Sequence, residues 1–130
     1  MSKDEELPRY GNYIDGAIVR PASNDYFPTE NPYTGKVWAL IGRGGEADVA
    51  AAVSAAERAL TQGEWPRMSA TQRGHLLWRL GDLIIANADH LAAIEQRDNG
   101  KIRSEACAQI RYMGDYFKYY GGLADRCRAR

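Results

Sequence analysis

Few residues in this sequence have the type and spacing to do chemistry. Gly42-Arg43-Gly44-Gly45-Glu46-Ala47 fits G-x-G-x-x-A, follows an apolar run and opens a helical one. In a dinucleotide-binding turn, such glycines bring backbone N–H groups up to a pyrophosphate at a helix N-terminus. That chemistry also needs a second parallel strand after the helix, ending in an acid about 20 residues past the first glycine. Here the region is Gln62-Gly63-Glu64-Trp65-Pro66, which has no apolar run. The loop therefore reads as a flexible strand-to-helix connection. A small stand-alone dinucleotide binder would rest on it alone.

Other candidates lack companions. Gly100-Lys101 has neither the upstream glycine nor the following Ser or Thr of a phosphate-binding loop. His75 and His90 have no HxxxH or HExxH partner, and each reads as a surface or helix-end imidazole. Cys107 and Cys127 fit no CxxC or zinc spacing. Cys107 lies between Ala106 and Ala108 with no nearby His, so it reads as a small packing residue. Tyr112, Tyr116, Tyr119 and Tyr120 stripe one predicted helix, as packing or as a wall that touches substrate. Asp89, Glu95 and Asp98 read as solvated charges and helix-end groups. No Ser/His/Asp set, paired carboxylate or metal cluster emerges.

The totals narrow the class. The 130 residues are one domain's worth or a piece of a larger one, 45% hydrophobic and 26% charged, with zero formal net charge. There is no global field for nucleic acid or an anionic membrane, and Arg126, Arg128 and Arg130 read as a frayed basic end. No nucleic-acid or membrane partner is expected. The N-terminus has no apolar leader and no run approaches a membrane-spanning length, so the expected compartment is cytoplasmic. Both cysteines are then expected as free thiols.

The elements that must position these residues begin after a disordered extension, residues 1–11. Tyr13 to Val19 predicts a tight hairpin, because Asp15-Gly16 accepts the positive φ values of a type I′ turn. Tyr26 to Glu30 is a short extended piece, and Pro28 argues for an edge. Asn31 to Gly35 is turn chemistry. Lys36 to Ile41 is a strand with two apolar faces, Val37, Ala39 and Ile41 against Trp38 and Leu40, so it asks for cover on both sides.

Glu46 to Leu60 predicts a helix that buries Val49, Val53, Ala56 and Leu60. Ser69 and Gln72 have capping-box spacing and open the strongest amphipathic run, with Leu76, Leu77, Leu80, Leu83 and Ile84 as its stripe. Asn87 reads as a second cap, and Asn99-Gly100 as a left-handed stop. Ser104 caps a last helix that continues through Gly121-Gly122 toward Ala124 and Cys127, weakened but unbroken. The fold class is α+β: a small N-terminal β-hairpin and strand element, then about four helices.

Five pieces in order carry a family resemblance. Tyr13-Ile14-Asp15-Gly16 resembles an opening "INGEW" hairpin, and Phe27 to Val37 a "NPATGEV" segment. Trp65 to Ser69 with Gln72 to Leu77, then Asp98-Asn99-Gly100-Lys101, and finally Lys118 to Arg126, against "RYYAGWADK", complete the set. Together they resemble the N-terminal part of NAD(P)-dependent aldehyde dehydrogenases, over roughly residues 12 to 126. On this basis residues 12–130 are an incomplete part of the family's cofactor-binding domain, within its α/β fold.

The resemblance implies oxidation of aldehydes to carboxylic acids with NAD or NADP. A cysteine thiolate attacks the carbonyl, hydride passes to the nicotinamide, and a glutamate-activated water releases the acid. The family's "PWNFP" Asn, cofactor-binding Lys, "GST" turn, "ELGG" Glu and nucleophilic Cys all lie further along, so none is carried over and no catalytic or cofactor-binding residue is assigned here. Cys107 and Cys127 do not match the nucleophile's motif. This chain alone is expected to be inactive and to bind no NAD or NADP.

Two weaker implications remain. Thr29, Glu30 and Asp98 fall where the family holds a structural monovalent cation, as an incomplete metal site. The last helix borders the family's aldehyde entrance, which adds a substrate-channel role to the packing role of Tyr112 and Tyr116. Ile102 departs from the usual proline after "GK", and Cys127 to Arg130 stand where the family continues "GKTIP" into an oligomerisation strand. The expected parent is a homo-oligomer acting on an aldehyde, and this chain an expressed fragment or truncated product. The alternative is a non-catalytic helical module that self-associates or binds other chains through orphaned core surface.

Overall fold

The computed structural model describes residues 7–126. The chain divides into two compact units, Met1–Gly63 and Glu64–Arg130. Among the described residues, no helix is long and apolar enough to cross a membrane.

The first unit holds β1 (Arg9–Tyr10), β2 (Asn12–Ile14), β3 (Ala17–Val19), β4 (Tyr26–Asn31), β5 (Lys36–Gly42) and α1 (Glu46–Thr61). The hairpin forms as its turn chemistry requires. Asp15 and Gly16 sit at φ 53 and 78, and β2 pairs antiparallel with β3. Asn31 closes the next turn: its carbonyl accepts from Thr34 and Gly35 and its side-chain oxygen from the Tyr33 amide at 2.9 Å. β4 and β5 pair antiparallel with a bulge between Thr29 and Glu30. β4 is an edge strand, so Pro28 sits where a missing N–H is tolerated.

Two differences from the sequence reading concern this unit. The extension expected over residues 1–11 gives way at Arg9–Tyr10 to a strand, parallel to β5 with Arg9 opposite Leu40. A two-residue strand is specified by its distant partner, which local composition does not reveal. Residues 1–6 lie outside the described ones. On α1, the expected buried stripe is outside: Val49, Val53 and Leu60 are exposed, and the covered residues are Asp48 and Ala55. On β5 only Ala39 is buried; Trp38, Leu40 and Ile41 are half-buried and Val37 is exposed.

The second unit holds α2 (Ala70–Ala86), α3 (Ala88–Asn99) and α4 (Arg103–Leu123), with short 3-10 turns at Trp65–Arg67 and Ala124–Arg126. Ser69 caps α2 as expected. Its hydroxyl accepts the Gln72 amide at 3.2 Å, and the Gln72 side chain accepts the Ser69 amide at 2.8 Å. Gly100 ends α3 in the left-handed region. The last helix runs unbroken through Gly121-Gly122; the further step to Cys127 lies outside the described residues.

Asn87 holds the N-cap position of α3 as expected, but its side-chain amide donates to the Leu83 carbonyl at 2.8 Å, so the side chain closes the end of α2. Asn is suited to either end, and local sequence does not decide between them. Ile102, not Ser104, occupies the N-cap position of α4, which places Ser104 inside the first turn.

The packing is closest where the side chains are smallest. The buried residues of α2 are Gly74 and Gly81, two turns apart on one face. They meet Gly121 and Gly114 of α4, which runs antiparallel to it. A Cβ on Gly74 would stand 2.5 Å from the Gly121 carbonyl oxygen, and one on Gly81 would stand 2.5 Å from that of Gly114. A second small-residue contact joins α3 to α4, where Ala88, Ala92, Ala106 and Ile110 form the buried cluster, with Ile84 and Cys107 packed against it. The expected apolar stripe of α2 is split: Leu77 and Ile84 are half-buried, while Leu76, Leu80 and Leu83 are exposed. Among the described residues, no large side chain is fully buried.

Candidate functional site

The Gly42 to Ala47 loop does join a strand to a helix, and its Arg43 and Gly45 amides are already bonded within the chain. The Asp48 carboxylate accepts the Gly45 amide at 2.9 Å through one oxygen and the Ala22 amide at 2.9 Å through the other. These two backbone bonds hold its carboxyl below the usual range. Arg43 pairs with Asp25 at 2.8 Å, and its amide donates to the Asp25 carbonyl. The Gly45 amide at the start of α1 is thus bonded to a carboxylate of the chain itself. No strand follows α1 in the first unit. The loop does not fit a dinucleotide.

Cys107 donates from its thiol to Asp89 at 3.3 Å, and Arg111 lies 3.8 Å from the same oxygen. Cys107 and Asp89 hold the Arg111 guanidinium above its ordinary range. This is a polar tie between α3 and α4 with no imidazole in it. His75 and His90 are both exposed, on different helices.

The Asp98 to Lys101 segment works as a clamp. Gly100 turns the chain, the Asn99 side chain accepts the Lys101 amide at 2.9 Å, and Lys101 reaches back to Glu95 at 2.9 Å. The same ammonium donates to the Gln109 side chain on α4. Lys101 thereby lowers the Glu95 pKa, chiefly by its hydrogen bond. Glu95, expected as a solvated charge, is instead paired. The signal available was a lysine held just past a helix stop, within reach of the last turn.

The four tyrosines make one connected surface. Tyr112 and Tyr116 rings lie 6.2 Å apart, Tyr116 and Tyr120 4.7 Å, Tyr119 and Tyr120 5.3 Å. The Tyr116 and Tyr120 hydroxyls are 3.1 Å apart, and this bond raises the Tyr120 pKa above its ordinary value. All four are exposed. Nearby, Lys118 is fixed between Asp82 at 2.6 Å and the face of Trp78 at 5.1 Å.

Of the remaining candidates, Thr29 and Glu30 adjoin at the β4 bulge in the first unit, while Asp98 lies in the last turn of α3 in the second. Among the described residues, no cluster of three or more His, Cys, Asp or Glu side chains is arranged to hold a metal ion.

Comparison with known proteins decides what this scaffold is. Residues 18–130 match the model of the aldehyde dehydrogenase family. The chain belongs to the aldehyde dehydrogenase family. It is 42% identical over 120 residues to (Z)-2-((N-methylformamido)methylene)-5-hydroxybutyrolactone dehydrogenase of Acinetobacter baylyi, covering 92% of this chain and 24% of that protein. It is 42% identical over 115 residues to acetaldehyde dehydrogenase 2 of Cupriavidus necator, covering 88% of this chain and 22% of that protein. Among solved structures, the NAD+ complex of the Bacillus cereus aldehyde dehydrogenase superposes with a TM-score of 0.90 at 32% identity. That match covers 94% of this chain and 25% of the solved one. The chain therefore spans about a quarter of the length of the relatives it matches, and corresponds to an N-terminal segment of them.

Proposed function

We propose that this chain is a scaffold segment of an NAD(P)-dependent aldehyde dehydrogenase that oxidises an aldehyde to the carboxylic acid, and that by itself it turns nothing over. The observation that carries the reading is the family match over residues 18–130. The inactivity follows from the residues. Cys107 has an aspartate and an arginine beside it and no imidazole, and the Gly45 amide of the glycine loop is taken by Asp48. The test has two arms. The purified 130-residue chain is assayed for NAD- and NADP-dependent oxidation of short aliphatic and aromatic aldehydes, and no turnover is expected. A polypeptide that joins this chain to the rest of an aldehyde dehydrogenase should oxidise an aldehyde; its failure to do so would sink the family activity.

Within that reading, residues 12–130 belong to the cofactor-binding domain, and Tyr112 and Tyr116 line the aldehyde entrance. Rigid rings edged with hydroxyls suit a hydrated channel better than a dry core. Thr29, Glu30 and Asp98 supply oxygen donors of the kind a hard cation takes, as part of a monovalent cation site. The parent is a homo-oligomer. The second reading, a self-associating helical module, is favoured by the exposed tyrosine surface; light scattering distinguishes it, since a monomer at high concentration argues against it.

A further inference from the structure

Of the asparagines Asn12, Asn24, Asn31, Asn87 and Asn99, only Asn99 precedes a glycine. That pair is the most reactive an asparagine can form. Glycine has no Cβ to shield its backbone nitrogen or to restrict its approach, so the nitrogen can close on the side-chain carbonyl carbon of the residue before it. Asn99 and Gly100 are both exposed, and water and hydroxide reach them.

The fold keeps the reacting atoms occupied. Asn99 is the last residue of α3, and the Gly100 N–H completes a helical bond to the Gln96 carbonyl at 3.0 Å. The Asn99 side-chain oxygen accepts the Lys101 amide at 2.9 Å, and its NH2 group donates to the Glu95 carboxylate. Glu95 is itself held by the Lys101 ammonium at 2.9 Å, and that ammonium is tied to Gln109 on α4. The carboxamide therefore has a partner at each end and the nucleophilic nitrogen has one of its own. Both ends of the carboxamide lead back to Lys101.

We propose that Asn99 is a site of spontaneous covalent modification and that the Glu95–Lys101 clamp sets its rate. When the last turn of α3 opens, the Gly100 nitrogen gives its proton to hydroxide and bonds to Cγ of Asn99. The bond from Cγ to the side-chain nitrogen breaks, and that nitrogen takes a proton from water and leaves as ammonia. A second water opens the cyclic imide at either carbonyl, so residue 99 becomes aspartate or isoaspartate. Water is the only co-reactant, and no electrons change hands. The product weakens the clamp that delayed it. A new carboxylate stands beside Glu95 where an amide donor stood, and like charges repel at that range. Isoaspartate also adds a methylene to the main chain at the left-handed stop. A converted chain thus holds α3 to α4 less firmly than a new one.

The test incubates the 130-residue chain at mildly alkaline pH and follows residue 99 by peptide mass spectrometry. Each chain is incubated folded and in urea, so that its own unfolded rate is the reference. In the parent, Asn99 is expected to convert at least about tenfold more slowly folded than in urea, as for a reaction that waits on local opening. In Lys101→Met the folded rate should rise about fivefold, because losing the clamp enlarges the opened fraction, while the rate in urea stays the same. Glu95→Gln keeps the helix-forming side chain, removes the charge and should move the rate in the same direction. Circular dichroism at the incubation temperature shows whether the helices are in place during the reaction. Equal rates folded and in urea, no conversion of Asn99 in urea, or variants that keep the parent's ratio would each overturn the proposal. A variant that has lost its helices counts against it too, since the clamp would then hold the whole unit and not the Asn99 turn.

Discussion

Gly81 and Gly114 approach until backbone touches backbone: a Cβ on either would lie 2.5 or 2.8 Å from the other's carbonyl oxygen. Their contact, with that of Gly74 and Gly121, sets the distance between α2 and α4. Gly81→Ala gains about 1 kcal/mol in helix propensity, but the obstacle is backbone and cannot rotate away. A net loss of about 2 kcal/mol is expected, from the overpacking that an added methyl imposes. Gly122→Ala is the internal control. Its nearest neighbour would be 3.9 Å away, so the propensity gain of about 1 kcal/mol should survive. Urea unfolding followed by circular dichroism separates the two signs.

Asp48 makes the first unit sensitive to acid. Its folded pKa lies below its ordinary value because the Gly45 and Ala22 amides bond the charged form. A lowered folded pKa gives stability that is present above the unfolded value of about 4 and lost as pH falls through the folded one. Unfolding midpoints measured from pH 7 down to pH 2 should therefore fall less steeply in Asp48→Ala than in the parent. An unchanged slope would show that the carboxylate is not the group that titrates.

Lys101 should matter more than an exposed lysine. Its side chain is 27% exposed and pairs with Glu95, 29% exposed, while also donating to Gln109. Discounted for solvent, Lys101→Met is expected to cost about 1 kcal/mol. The double variant with Glu95→Gln should cost less than the two singles added, because they remove one shared interaction. Additive losses in denaturant titrations would refute the clamp.

The occupied glycine loop gives a binding prediction. Isothermal titration of the chain with NAD should return a dissociation constant weaker than about 1 mM, since the Gly45 amide is already bonded to Asp48. Micromolar binding would restore the reading of this chain as a nucleotide-binding unit.

What the sequence revealed and what it hid divide along a physical line. The Asp15-Gly16 hairpin, the Ser69/Gln72 box, the Gly100 stop and the edge position of Pro28 each follow from a few adjacent residues, and all were legible. Periodicity located the helices and the Ala106/Ile110 side of α4, but it misjudged α1 and much of α2, because a stripe such as Leu76-Leu80-Leu83 says that a face is apolar, not what covers it. The glycine seam stayed hidden for the opposite reason. Glycine adds nothing to a hydrophobic stripe, and its value depends on a partner helix far along the chain. Likewise the roles proposed for Tyr112, Tyr116 and Asp98 rest on resemblance, since neither their residue types nor their spacing points to a site.

The parallel pairing of β1 with β5 has a consequence for the order in which this molecule assembles. Arg9 bonds into the ladder opposite Leu40, so the intervening hairpin, edge strand and turn must all be synthesised before β1 has a neighbour. Contacts of that separation close late, because loop entropy is lost before the contact repays it. On a ribosome the hairpin can form early from its own turn, while the strand just before it waits. A strand made before the hairpin that follows it is thus fixed after that hairpin.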